Sequence, residues 1–263
     1  MPNELKIHLV SICALVFFLV DVFGEEKKEK AKPAPGHSHV GESFDAGPRQ
    51  SAIKVDGTGD VHFPITTNWS RGQQMFDQGM GQLHGFWYYE AERSFRQIAA
   101  EDPNCAMAYW GMSMANWENS KRSKAFIAKA SELKDKVTDR EKLYISAQEA
   151  FLAEEPKDIK KRRQKLIEDI ENIIHEYPKD IEAKAILVVR LWQFSHRGIP
   201  IGSRESIDAL MQQIFNDNPL HPAHHFRIHL WDGKKPARAL SSAAVLHQTA
   251  PAIAHMWHMS GHI

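Results

Sequence analysis

The residues best suited to chemistry in this chain are histidines grouped near its end. Four lie in "HPAHHFRIHLWD" (residues 221–232) and three more in "AHMWHMSGHI" (residues 254–263). Each residue of a helix turns about 100°, so His221, His225 and His229, spaced i, i+4, i+8, sweep only about 80° of one face. His255, His258 and His262, spaced i, i+3, i+7, form a similar stripe. The stripes are offset by nearly one interval: 34 residues from His221 to His255, 33 from His225 to His258 and 33 from His229 to His262.

Imidazole is a good ligand for Zn²⁺ and Cu²⁺. If the two stripes lie on neighbouring parallel helices, His225, His229, His258 and His262 form the favoured ligand set, with His221 and His255 in reserve. Met256 and Met259 interleave with the second stripe and would also admit Cu⁺. Against this reading, no HExxH signature is present, and Asp232 is the only acid between Pro219 and Ile263. Hydrolytic zinc chemistry usually needs a carboxylate base, and ligating imidazoles usually need an orienting partner. The competing reading is that these histidines pack between helices or line a polar groove.

The elements that must carry the stripes are helical. From about residue 70 apolar residues recur at spacings of three and four, punctuated by Gly and Pro, and no alternating strand pattern is present. In the segment from Gly72 to Pro103, small Gly79, then Ala91, Phe95, Ala99 and terminal Pro103 follow the tetratricopeptide pattern of a ~34-residue helix pair. Degenerate copies begin near "EDPNCAMAYWG", "EYPKDIEAKAIL", "DNPLHPAHHFRI" and "TAPAIAHMWHM". The expectation is an all-α, right-handed solenoid of antiparallel helix pairs, about ten to eleven helices over residues 61–263. The chain stops within what the pattern makes a helix, which suits a fragment.

Ahead of that domain, residues 1–24 combine Lys6, an apolar run too short for a comfortable span, and a small-residue cleavage site; they read as a secretory signal peptide. Residues 25–60, rich in charge, Pro, Gly and Ser, read as a disordered linker. The expected location is secreted or periplasmic, with membrane contact only through the first segment if it is uncleaved. Cys105 alone remains in the mature chain, so no internal disulfide can form, and a core thiol is its expected role.

Lys plus Arg equals Asp plus Glu, so no basic field points to nucleic acid. The basic run "KDIKKRRQK" reads as a solvated helix face. Of the other polar groups, His84 reads as a helix-end imidazole, and His196 and Arg197 as groove lining. No CxxCH, phosphate loop or nucleophile elbow is present, so the chain reads as a binding protein more readily than an enzyme.

The stretches "FDQGMGQLHGFWYYEAERSFRQIAAEDPNCAMAYWGMSMAN" and "HPAHHFRIHLWDGKKPARALSSAAVLHQTAPAIAHMWHMSGHI" resemble a group of exported bacterial tetratricopeptide-repeat proteins. The resemblance covers most of residues 60–263 and includes the positions of His221, His225, His229, His255, His258 and His262. Members of the group continue past residue 263. The resemblance implies a repeat scaffold but no activity or catalytic residue. The functional expectation is therefore a protein or peptide partner held in a concave groove, with metal binding by the histidines as the alternative.

Overall fold

The computed structural model describes residues 42–49 and 51–263. They are all-α, with twelve α-helices and no strand among the described residues. A short α1 (Glu42–Asp45) precedes α2 (Gly72–His84), α3 (Tyr88–Glu101), α4 (Ala106–Ala115), α5 (Ser120–Glu132) and α6 (Asp139–Leu152). There follow α7 (Ile159–Glu176), α8 (Ile181–Ser195), α9 (Arg204–Asp217), α10 (His224–Trp231), α11 (Leu240–Thr249) and α12 (Ala254–Met259). From α2 to α9, and again from α10 to α12, each helix packs on the next. Even-numbered helices also touch one another: α2 with α4, α4 with α6, α8 with α10, and α10 with α12.

Local chemistry sets the helix ends. Thr138 and Glu141 form a reciprocal capping box at α6. Asp158, Asp180 and Ser203 accept backbone N–H groups at the starts of α7, α8 and α9. The close approach that the Gly79 pattern predicts is present: a Cβ at Gly79 would lie 2.5 Å from the Phe95 ring, and one at Gly111 2.6 Å from the same ring. Phe95 is thus clamped between α2 and α4. Every residue of α4 is buried.

Two apolar clusters result. The first is built mainly from α2 to α8, the second from α8 to α12. Helix α8 serves both: Ile186 and Leu187 face the first, Ala185 and Val188 the second. This explains why α8 is apolar on nearly every face, as a helix enclosed on all sides must be.

The stretch read as a signal peptide, and the linker as far as Gly41, lie outside the described residues. Several of residues 42–49 and 51–60 are held against the helices. Phe44 meets the rings of Tyr109 and Phe126 edge-on, at 6.0 and 5.0 Å. The amide N–H groups of Ala52 and Val55 donate to Gln97 and Gln78, and Gln78 donates to Ile53 O. Gly81 leaves no room for a side chain where Thr58 O approaches α2. An extended strap anchored by a few contacts has no period-3.6 pattern, so its composition does not announce those contacts. No helix of the described residues is long and apolar enough to cross a membrane.

Candidate metal centre

His225, His229 and His255 come together. The Nε2 atoms of His229 and of His255 each lie 3.0 Å from Nε2 of His225. The first two residues stand one turn apart on α10, and the third is in the first turn of α12, which packs against α10. His225 is fully buried, whereas His229 and His255 are half-buried, so the triad opens toward solvent on one side.

Tertiary contacts set the tautomers. His225 Nδ1–H donates to the carbonyl of His84 at 2.6 Å, which leaves a lone pair on Nε2. His229 turns Nδ1 toward Asp232 Oδ2, 3.7 Å away, so the carboxylate charge favours a proton on Nδ1 over one on Nε2. Two further nitrogens therefore confront one lone pair that can accept a single hydrogen bond. Burial pushes the imidazoliums of all three residues down, His229 to about 4 and His225 well below its ordinary value, and mutual repulsion adds to the effect. All three are neutral at pH 7, the form that binds metal.

The floor of the triad is Phe86. Its ring lies 4.4 Å from His225, 5.6 Å from His229 and 5.8 Å from His255. Phe86 is the one non-glycine with positive φ, +57°, among the described residues. A bulky side chain in this region costs on the order of 1–3 kcal/mol, and here the turn between α2 and α3 holds it under the imidazoles. Trp192 of α8 stacks on His229 from another side, centroids 4.4 Å apart.

The other sequence-derived ligands take different places. His258 and His262 pair with each other, Nε2 to Nε2 at 3.0 Å, on the exposed side. His258 is near the triad, its ring 6.1 Å from that of His255, and His262 Nδ1 lies 3.8 Å from the same Asp232 oxygen that faces His229. The favoured partnership of His225 and His229 with His258 and His262 is therefore replaced by one with His255. The register of 33 residues does not hold, because α12 is short and meets α10 through its first turn. Met256 and Met259 are buried in the second core.

His221 is placed apart. It precedes α10, in the turn before Pro222, so the i, i+4, i+8 stripe is broken at its first member. Its Nδ1 accepts the N–H of Ala223, so Nε2 carries the proton and donates to Glu182 Oε1 at 2.8 Å. His84 Nε2 lies 2.8 Å from Glu182 Oε2. This second cluster is closed to solvent, with His221 0%, Glu182 1% and His84 3% exposed. Burial alone would raise the Glu182 carboxyl, but the two imidazoles outweigh it and hold the group ionised. With both oxygens satisfied by N–H donors, the cluster is a hydrogen-bonded brace joining α2, α8 and the start of α10. His224 is also a packing residue: it stacks on Phe215 at 3.7 Å and bonds Ser242 and Pro219 O.

Glu182, Phe86 and the His84 carbonyl were not recognisable as site components from sequence. Only His84 carried a signal, a histidine closing the first helix, and its partners Glu182 and His225 are 98 and 141 residues away in the chain. The fold and site together define an all-α protein of consecutively packed helices that gathers three neutral imidazoles between α10 and α12. No family model matches the chain, and no curated protein or solved structure matches it.

Proposed function

We propose that the protein binds a transition-metal ion, Zn²⁺ or Cu²⁺, through Nε2 of His225, His229 and His255. The observation that carries this reading is the convergence of three neutral imidazole nitrogens, two of them 3.0 Å from a lone pair on the third. Bonds of about 2.0–2.1 Å to a shared ion put ligand nitrogens about 2.9–3.3 Å apart for angles between right and tetrahedral. A cation would satisfy all three lone pairs, which no arrangement of protons does.

The support extends to the surroundings. The His84 carbonyl and the Asp232 carboxylate are the kind of outer partners that orient ligating imidazoles. Three protein ligands leave a coordination position for water or a small ligand, on the side where His258 and His262 stand. The scaffold in this reading is a TPR-like, right-handed solenoid of an exported protein; the contacts among even-numbered helices support it, since in such a stack the first helices of successive pairs touch. A protein or peptide partner remains a second reading, favoured by the exposed rings of Tyr89 and Trp257, each 55% exposed.

The test is metal content by mass spectrometry on protein purified without an affinity tag. Wild type is expected to carry, or to take up from zinc or copper salts, about one metal per chain. His229→Ala should lose it and His258→Ala should keep it. A folded wild type that cannot be loaded with either metal would sink the reading, and equal loss from both variants would move the centre to the His258–His262 side.

A further inference from the structure

A narrow cleft runs from beneath Phe86 to the helix α8 side chains of Arg190 and Gln193, with Tyr88, Trp117 and Phe226 among its walls and a cavity volume of about 40 Å³. Its lining is otherwise mostly aromatic and aliphatic, with His84 the further polar residue. Arg190 is only 3% exposed. Its Nη1 donates to Gln193 Oε1 at 2.9 Å, and its Nη2 approaches the Met114 thioether at 3.2 Å. Its Nε is buried with no hydrogen-bond partner.

Four other shielded arginines are paired with carboxylates, while Arg162 and Arg163, whose Nε atoms also lack a partner, donate through Nη1 to backbone carbonyls. Arg96 and Arg122 share Glu92, Arg140 pairs with Asp180, and Arg227 pairs with Asp208. No carboxylate of the described residues reaches Arg190. The neighbouring charge is that of Arg197, which repels it, while the Tyr88 phenol, pushed up to about 12 mainly by burial, is neutral. Burial lowers the guanidinium to about 10, so it still carries its charge at neutral pH. A buried cation facing one amide oxygen and a sulfur is costly unless an anion completes the arrangement.

We propose that this cleft binds a small aliphatic carboxylate, its carboxylate paired with Arg190 inside and its alkyl chain directed toward the mouth. A guanidinium presents a planar fork of N–H donors that matches a carboxylate through two parallel hydrogen bonds. The Gln193 amide stands beside that pair. The walls of Phe86, Tyr88 and Trp117 suit a thin alkyl chain. Tyr88 and Trp117 are both half-buried at the solvent end of the cleft, where Arg197 stacks on Trp117 at 4.3 Å. Phe86 belongs both to this cleft and to the floor of the histidine triad, so the ligand would lie beside the triad; its binding to Arg190 does not require a metal.

The experiment is a titration followed by tryptophan fluorescence and calorimetry, using propionate, hexanoate and the uncharged 1-hexanol. It is run on the full chain, once treated with chelator and once loaded with zinc, in wild type, Arg190→Gln and His229→Ala. Wild type is expected to bind at least one of the two acids saturably and at least about tenfold more tightly than the alcohol, with or without zinc. Arg190→Gln should lose that preference and His229→Ala should keep it. The proposal is overturned if neither acid binds saturably, or if acid and alcohol bind wild type equally, a comparison that needs no variant. It is also overturned if acid binding needs zinc and disappears in His229→Ala, which would make the metal itself the carboxylate's partner. Failure of metal loading together with intact, Arg190-dependent acid binding would remove the metal reading and leave this one standing.

Discussion

At His225 the proton resides on Nδ1 because the His84 carbonyl accepts it, and the remaining lone pair meets His229 and His255. The same logic applies at His229, where the Asp232 carboxylate faces Nδ1. In the proposed metal site Asp232 would orient a ligand without being one. Asp232→Asn should weaken zinc binding by about 10–100-fold, the usual effect of removing an outer carboxylate, while the fold is kept. Competition with a chromophoric chelator measures this; unchanged affinity would mean that Asp232 only neighbours the site. The histidine grouping was legible in the sequence, as was the isolation of Asp232. The choice among the six candidates was not, because helical spacing places side chains relative to one another only while the helix lasts. His221 lies before α10 begins and is drawn into the brace with Glu182 instead.

Between elements, the closest fit is Phe95 held between Gly79 of α2 and Gly111 of α4. The tetratricopeptide spacing of Gly79, Ala91 and Phe95 foretold the first half of this clamp. Gly111, in the following unit, completes it. Gly111→Ala places a methyl group against a ring that cannot retreat and should destabilise the protein by about 1–3 kcal/mol. Urea unfolding would show this as a lower midpoint at unchanged slope, and an unchanged midpoint would mean that the ring has room to move. The strap before α2 shows the limit of pattern reading at this scale. Its anchors are side chains of α2, α3 and α5, such as Gln78, Gln97 and Arg122, and nothing within residues 42–60 reveals them.

Across the whole molecule, buried neutral histidines make stability depend on pH. Burial lowers His224 and His229 to about 4 from an ordinary value of about 6.5. The unfolded chain then binds more protons than the folded one between those values. The stability these groups contribute is complete above pH 6.5 and declines as the pH falls toward 4, by up to about 1.4 kcal/mol per pH unit for each histidine. In the presence of chelator, the urea midpoint should therefore fall steadily from pH 6.5 to 4.5; a flat profile would show that these imidazoles are already hydrated in the native state. Bound zinc should raise the midpoint at neutral pH, since a ligand taken only by the native state stabilises it by mass action.

Sequence by itself determined that the chain is helical, where helix pairs begin and end, and that histidines crowd the last helices, because apolar periodicity, Pro and Gly placement and side-chain type are local properties. Tertiary structure alone decided which nitrogens meet. The contact of α10 with α12 brings His255 to His225, the left-handed turn at Phe86 lays a ring beneath them, and α8, enclosed between two cores, carries Glu182 into the brace and Arg190 into the cleft. These groups come from segments up to about 170 residues apart, so their juxtaposition depends on how whole helices dock, which no local spacing encodes.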